Sequence, residues 1–392
     1  MNVKYATFKS KLKYSLDFEE RKKSFLSNVE NALNDSLEYS TLDDYDCDLK
    51  LIFIETGGSE GLFLENMDIL KEPYYILTSG SNNSLAASIE ILNYLKINGY
   101  HGEILHGSPE YIAKRIKTLA KLEKAKKILN NTKLGVIGKP SDWLISSIPN
   151  YTVVKDKLGI ELIDIPLSKV VDKASKPHFN KLLIEKGFNK EELVKASNIY
   201  DALDEIVKEY KLNGLTIRCF DLLKSLKTTS CLALGELNKR GIVSTCEGDI
   251  ATMLSMMIVK SIADKPSFQA NPSRIDTLTN DIVFAHCTVP FDMLKSYTLD
   301  THFESGIGVA IKGQMKEEKV TIFRMSADLS RYYVTTGKIV KNLNEGDLCR
   351  TQVRIHLDTD VKELFINPCG NHHVIVYGDE ANNIKELLSK IL

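Results

Sequence analysis

The stretch that decides the fold is "GIVSTCEGDIATML", residues 241–254. A short β-leaning apolar run ends at Val243, and a helical pattern begins a few residues later. From Ile250 onward, apolar residues recur at the i, i+3, i+4, i+7, i+8 spacing of an amphipathic helix. The stretch therefore predicts a strand followed by a helix, which is one βα unit of a parallel sheet.

Two acids, Glu247 and Asp249, lie at the joint between this strand and this helix. One interpretation is structural, because Ser244 followed by Glu247 fits a capping box and Asp249 would interact favourably with the helix dipole. The other interpretation is functional, because α/β sheets bind ligands beyond the carboxyl ends of their strands. At this point both interpretations stay open.

The alternation of strand and helix extends over the first two thirds of the chain. Runs such as "LKLIFIET" and "PYYILTS" are each followed by an amphipathic segment, and a second series begins with "KLGVIGKP". We therefore predict an N-terminal α/β domain at residues 1–131 and a middle α/β domain at residues 132–265. Each would be built on a doubly wound, mainly parallel sheet.

The pattern changes after Pro266, where short alternating runs replace helices. Examples are "DIVFAHC", "KVTIFRM", "YYVTTGKIV" and "HHVIVYG". Such runs, separated by turn residues, indicate an antiparallel sheet or barrel. We predict a mainly antiparallel, β-barrel-like domain at residues 266–392, closed by a terminal helix.

The composition argues against nucleic-acid and membrane partners. Lys and Arg number 51 against 52 Asp and Glu, so there is no basic surplus for a phosphate backbone. No 18-residue apolar window and no signal-like N-terminal run occur, so we expect no membrane span and a cytoplasmic location.

The histidines are concentrated in the last third of the chain. His286 closes "IVFAHC", His302 lies in "DTHFESG", and His372 and His373 open "HHVIVYG". Because side chains alternate along a strand, only one of His372 and His373 can readily face a given site. Each histidine taken singly fits an ordinary hydrogen-bonded side chain. Together with Glu247 they form an oxygen and imidazole set that suits Mn²⁺, Mg²⁺ or Fe²⁺.

Two glycine-rich turns, "ETGGSEG" and "TSGSNNSLAAS", stand between a strand and a helix. Neither has the spacing of a nucleotide-binding fingerprint. Exposed amides around Gly58, Ser81 and Asn82 favour contacts to hydroxyls or an anion, although ordinary loop chemistry is the alternative. The single Trp143 is a candidate for stacking on a sugar ring, and packing is its alternative.

The order of the motifs "CEGD", "KPSFQANP", "AHC", "HFESG" and "GNHHVIVYGD" resembles the L-fucose isomerase-like proteins, a superfamily that includes L-arabinose isomerase. The resemblance is to a shorter branch and is strongest from Lys133 to Asp379. It implies metal-dependent aldose–ketose isomerisation of a sugar through an enediolate, with Mn²⁺ held by two carboxylates and a histidine. It also implies a homotrimer or homohexamer in which the first domain of a neighbouring subunit completes each site.

The resemblance assigns roles to single residues. Glu247 of "CEGD" matches the first carboxylate ligand, which we also expect to act as base. His372 of "GNHH" matches the histidine ligand, and His286 of "AHC" is similar to the additional histidine of the arabinose isomerases. The second carboxylate should fall in "SFQANP", where this chain has Asn271. An amide can offer its carbonyl oxygen to a metal but cannot carry a proton.

The missing acid leaves alternatives open. Glu304 or Asp300, in "LDTHFESG", is the candidate for the second acid/base group, and His302 is a candidate for binding the sugar. Asn271 also favours a rival function, a sugar-binding or regulatory protein that kept the fold and lost turnover. A further alternative is an isomerase of a modified or acidic sugar.

Overall fold

The computed structural model describes residues 1–11, 15, 17–176 and 187–392. The chain divides into two compact units, Met1–Lys124 and Ala125–Leu392. Two parallel α/β sheets and a closed antiparallel barrel confirm the predicted fold class, while the division into three domains stays a prediction. Among the described residues, none of the helices is both long enough and apolar enough to cross a bilayer.

The unit Met1–Lys124 contains one parallel sheet. Its strands are β1 (Val3–Phe8), β2 (Leu37–Tyr39), β3 (Leu49–Ile54), β4 (Tyr74–Thr78) and β5 (Gly102–Leu105). The helices that begin in this unit are α1 (Phe18–Leu33), α2 (Glu60–Glu65), α3 (Ser84–Ile97) and α4 (Pro109–Asn130). The strand order is β2-β1-β3-β4-β5. Strands β3 and β4 are buried along their whole length, because helices cover both faces of the sheet.

The second unit begins with another parallel sheet. Its strands are β6 (Lys133–Ile137), β7 (Glu161–Ile165), β8 (Gly214–Ile217) and β9 (Val243–Thr245), in the order β7-β6-β8-β9. The helices of this region are α5 (Tyr151–Leu158), α6 (Leu167–Ala174), α7 (Lys190–Tyr210), α8 (Phe220–Ser225), α9 (Cys231–Lys239) and α10 (Ile250–Ala263). The loop between β9 and α10 lies at the carboxyl edge of this sheet, where α/β folds place ligands.

The rest of the second unit is an antiparallel barrel. Its strands are β10 (Phe268–Asp276), β11 (Asp281–His286), β14 (Lys319–Met325), β15 (Tyr332–Asn342), β16 (Thr351–Leu357) and β17 (His373–Tyr377). The barrel closes in the order β10-β11-β16-β15-β14-β17. A separate pair consists of β12 (Leu294–Asp300) and β13 (Ala310–Met315), and the remaining helices are α11 (Glu363–Ile366) and α12 (Ala381–Ile391).

Helix α10 joins the second sheet to the barrel. It packs against β8 and β9 on one side and against β14 and β17 on the other. All of its residues except Lys260 and Ala263 are buried. The sequence predicted an amphipathic helix with one apolar stripe, but the helix has no solvent face because apolar layers cover it from both sides.

The predicted capping box is wrong. Ser244 lies within β9, where its amide donates to the side chain of Asn238 at 2.9 Å. The cap of α10 is Asp249, whose Oδ1 accepts a 2.8 Å hydrogen bond from the amide of Thr252. The helix begins late because Glu247 and Gly248 both adopt left-handed backbone angles, with φ of 65° and 72°.

Candidate active site

The loop between β9 and α10 positions Glu247. The amide of Cys246 donates a 2.8 Å hydrogen bond to the side chain of Gln269, and the amide of Ser141 donates one of 2.9 Å to the carbonyl of Glu247. A left-handed backbone costs a residue other than glycine roughly 1–3 kcal/mol, and such strain is concentrated at functional sites. These contacts therefore hold the glutamate in a conformation that it would not adopt by itself.

Two histidines from the barrel face this glutamate. His286 ends β11, and its Nε2 lies 3.7 Å from Oε1 of Glu247. His372 precedes β17, and its Nε2 lies 3.5 Å from the same oxygen. All three side chains are buried, and their ligand atoms lie within 4.8 Å of one another. Three predicted ligands that are distant in the sequence thus meet, and no other such His, Cys, Asp and Glu group occurs among the described residues.

The neighbouring His373 points elsewhere, as the alternation along a strand requires. Its ring lies 5.7 Å from the ring of Phe284 and 5.7 Å from that of Tyr333. Burial is the main reason why its pKa falls to about 3. His373 is therefore a neutral side chain, and only His372 of the pair faces Glu247.

The group fits a metal ion. Nε2 of His372 is buried without a hydrogen-bond partner, and Oδ1 of Asn271 is also buried without one. Buried polar atoms are rarely left unpaired. The separations of 3.5 and 3.7 Å from Glu247 are too long for good hydrogen bonds, yet they suit two ligands that each lie about 2.1 Å from one ion.

Strand register places Asn271 next to the strand ends that carry these histidines. In the barrel, β10 lies between β11 and β17. Asn271 is opposite Ala285, the residue before His286, and Ala270 is opposite His373. The amide therefore stands beside both strand ends that carry the facing histidines. This strand was not predicted, because Pro272 and a register shift interrupt its alternation.

The charges in the group are strongly coupled. Burial by itself raises the pKa of the Glu247 carboxyl, but the charge of His372 and the nearby His286 outweigh it and hold the pKa well below its usual value. Burial lowers the pKa of His372, but its attraction to Glu247 and Asp249 prevails and brings the pKa to about 9. Burial lowers the pKa of His286. Without metal, the centre is therefore a carboxylate facing an imidazolium.

Trp143 contacts the central carboxylate directly. Its indole Nε1 donates a 2.7 Å hydrogen bond to Oε2 of Glu247. Its ring packs against Phe220 in a T-shaped arrangement at a centroid distance of 5.0 Å, and Phe220 packs in the same way against His302 at 5.5 Å. Trp143 is 51% exposed although its indole nitrogen is bonded to the carboxylate. The sequence left stacking on a sugar and ordinary packing open for Trp143, and it did not predict this hydrogen bond.

The loop after β12 carries the other predicted acids. Asp300 accepts a 2.7 Å hydrogen bond from the amide of Thr301 and lies 3.5 Å from Nε of Arg350. Arg350 also donates a 2.7 Å hydrogen bond to the carbonyl of Thr301. Asp300 therefore helps to anchor this loop.

The charges of His286 and Glu247 also influence the pKa values of His302 and Glu304 on the same loop. Burial, together with the charge of His286, lowers the pKa of His302 to about 4, so its imidazole is neutral at physiological pH. Burial and the negative charge of Glu247 raise the pKa of Glu304. A carboxyl group with a raised pKa is suited to exchanging a proton.

The remaining predicted residues lie in the unit Met1–Lys124. Gly58 follows β3, and Ser81 and Asn82 follow β4 in a short 3₁₀ turn. The amide of Gly57 donates a 2.8 Å hydrogen bond to the carbonyl of Asn82. The two glycine-rich turns thus meet at the carboxyl edge of the first sheet, and their role in sugar binding stays a prediction.

Comparison with known proteins assigns the chain to a class of enzyme. No family model matches it. The chain is similar to the sulfoquinovose isomerases of Priestia aryabhattai and Priestia megaterium, with 25% identity over 327 residues, 78% of this chain and 73% of each relative. It is also 22% identical, over 328 residues, to the sulfoquinovose isomerase of Alkalicoccus urumqiensis, covering 78% of this chain and 74% of that relative. These relatives confirm the prediction that the chain is an enzyme of the sugar isomerase class.

Proposed function

We propose that the protein is a metal-dependent aldose–ketose isomerase and that its substrate is sulfoquinovose or a similar sulfonated sugar. The observation that carries the proposal is the meeting of the buried side chains of Glu247, His286 and His372, whose ligand atoms lie within 4.8 Å of one another and include an Nε2 of His372 without a hydrogen-bond partner. The substrate is suggested by the names of the relatives. We therefore favour a modified or acidic sugar over a neutral sugar as the substrate.

The proposed metal is Mn²⁺, held by Glu247, His286 and His372 with the amide oxygen of Asn271. One carboxylate, two imidazoles and an amide oxygen form a set that a divalent first-row ion accepts. When bound, the ion supplies positive charge that stabilises an enediolate. The hydrogen bond from Trp143 fixes the second oxygen of Glu247 and orients the carboxylate toward the two histidines.

The proton transfer needs a group that both takes and returns a proton between adjacent carbons. A carboxyl with a pKa well below its usual value holds a proton too weakly to return it, so Glu247 is better suited to bind the metal. We assign the proton transfer to Glu304, whose pKa is raised. Asp300 is the second candidate, but its carboxylate already lies beside Arg350.

We further propose a homotrimer or homohexamer in which the first domain of a neighbouring subunit completes the site. In that arrangement Gly58, Ser81 and Asn82 of the neighbour would contact sugar hydroxyls. The support is the resemblance in motif order, together with the meeting of the two glycine-rich turns. Sedimentation equilibrium tests the assembly, and a monomer at assay concentration would contradict it.

The test begins with removal of the metal. The protein is treated with a chelator and assayed with sulfoquinovose and a panel of neutral aldoses, with and without Mn²⁺. We expect ketose to form from the sulfonated sugar only after Mn²⁺ is added, and Glu247→Gln to abolish the reaction. The matched control is Glu236→Gln, which alters a buried glutamate of α9 that is paired with Lys239.

The rival function, a sugar-binding or regulatory protein, rests on Asn271 standing where an acid was expected. Such a protein would bind the sugar without metal and form no ketose. Calorimetric titration of the metal-free protein with sulfoquinovose distinguishes the two functions. Tight binding of sulfoquinovose, with no ketose formed whichever metal is added, would support the sugar-binding protein and contradict the isomerase proposal.

A further inference from the structure

Asp249 is the direct partner of the ligand His372. Its Oδ2 lies 2.8 Å from Nδ1 of the imidazole, and both side chains are fully buried. Its other oxygen accepts the capping hydrogen bond from the amide of Thr252. The carboxylate is thus held at both oxygens, and Nδ1 is the imidazole nitrogen that faces it.

A buried arginine holds Asp249 from the other side. Arg324, on β14, has no exposed surface, and its Nη1 lies 3.3 Å from each oxygen of Asp249. The same nitrogen donates to the hydroxyl of Thr252. Nη2 donates to Ser147 at 3.2 Å, and Nε donates to the carbonyl of Cys369 at 3.2 Å.

These contacts join the three segments that carry Trp143, Glu247 and His372. Ser147 follows Trp143 in one segment, Asp249 follows Glu247 in the second, and Cys369 precedes His372 in the third. The backbone at Gly370 approaches so closely that a Cβ there would lie 2.5 Å from the guanidinium. This close contact shows that the segment carrying His372 packs directly against Arg324.

We propose that Asp249 and Arg324 are positioning residues for the metal centre: Asp249 accepts the Nδ1 proton of His372, so that Nε2 faces Glu247 and the metal, and Arg324 holds Asp249 in place. The inference rests on the proposed metal site and adds residues that bind no metal themselves. Nη1 of Arg324 and the amide of Thr252 both face the oxygens of Asp249, so they stabilise a negative charge on this carboxylate. A partner of this kind fixes the tautomer of a ligating histidine, and its loss typically weakens metal binding 10–100-fold.

Asp249→Asn separates this role from helix capping. Asparagine caps helices as well as aspartate does, so the substitution keeps the start of α10 and removes only the charge. We expect the dissociation constant for Mn²⁺, measured by electron paramagnetic resonance, to rise about 10–100-fold. The matched control is Asp264→Asn at the other end of the same helix, where the side chain is 87% exposed, and it should bind Mn²⁺ as the wild type does.

A second variant covers the case in which Asp249→Asn leaves Arg324 unpaired and unfolds the chain. Asp249→Asn combined with Arg324→Met removes both buried charges, and circular dichroism reports whether it folds. The folded double variant should lose the same 10–100-fold in Mn²⁺ affinity. A folded variant of either kind with an affinity within twofold of the wild type would overturn the inference.

A measurement on the unaltered protein decides the matter independently. Zn²⁺ is diamagnetic, so the Zn²⁺-loaded enzyme should show a downfield proton resonance from Nδ1–H of His372 bonded to Asp249. Absence of any such resonance overturns the inference and leaves the metal centre intact. Failure of the wild type to bind Zn²⁺ or Mn²⁺ overturns the metal centre as well, so the two failures are distinguishable.

Discussion

The indole nitrogen of Trp143 lies 2.7 Å from Oε2 of Glu247 and donates a hydrogen bond to it, across 104 positions of sequence. The bond occupies one carboxylate oxygen and leaves Oε1 facing the two histidines. Trp143 thus links the loop after β6 to the centre of the site. The same side chain is 51% exposed, and stacking on a sugar ring stays a prediction for it.

Trp143→Phe removes the donor and keeps a ring against Phe220. A hydrogen bond to a charged group contributes roughly 1.5–3 kcal/mol, and the half-exposed indole belongs at the low end of that range. We therefore expect kcat/KM for the proposed reaction to fall about tenfold, measured by steady-state kinetics. Tyr151→Phe is the control, since it removes an aromatic donor to Asp164 elsewhere on the surface. An equal fall in kcat/KM for the two substitutions would contradict a role of the Trp143 hydrogen bond in the reaction.

Metal affinity should depend on pH through His372. The pKa of His372 in the metal-free protein is about 9, so below that pH the ion must displace a proton. The affinity therefore rises with pH, by about tenfold per unit between pH 6 and 8, and levels off above about pH 9. Mn²⁺ titrations at three pH values measure the slope, to which Glu247 adds nothing because its lowered pKa keeps it ionised. A pH-independent affinity would show that His372 is not a ligand.

Glu304→Gln and Asp300→Asn form a matched pair of neutralising substitutions on one loop. General acid/base groups typically contribute 10²–10⁴-fold, so we expect kcat to fall by about that factor in Glu304→Gln. Asp300→Asn should lower kcat by less than about tenfold, because this aspartate anchors the loop through Thr301. The reverse order of effects would transfer the proton-carrying role to Asp300.

Gly370→Ala should destabilise the protein strongly. A methyl group there would lie 2.5 Å from Arg324, and the backbone φ of +140° is unfavourable for any residue with a Cβ. Overpacking and backbone strain together cost about 2–4 kcal/mol of the free energy of unfolding, which urea denaturation measures. Gly346→Ala is the control because nothing lies within 4 Å of its added carbon. Similar unfolding midpoints for the two variants would contradict the close approach.

Hydrophobic periodicity predicted most of the architecture. The alternating runs quoted after Pro266 are barrel strands. Periodicity worked there because each element buries one regular set of side chains. It failed for β12, which was not predicted because its run "LKSYTLD" is mostly polar and only half-buried.

The site was only partly predictable because its contacts join distant segments. Motif order indicated Glu247, His286 and His372, but no local pattern connects Trp143 to Glu247 or Arg324 to Asp249. A signal for Arg324 did exist: it interrupts the apolar run "KVTIFRM", where a charged side chain needs a buried partner. The capping box was wrong because a left-handed Glu247 cannot be recognised from residue types.

Helix α10 is covered by the second sheet on one side and by the barrel on the other. The sheet and the barrel therefore cannot be separated without exposing this helix to solvent. Glu247 stands just before this helix, whereas His286 and His372 come from the barrel. Neither layer alone would bring Glu247 together with the two histidines or keep the helix out of water. Transfer of either layer alone into another gene would therefore carry only part of the site. The sheet and the barrel have to be transferred together.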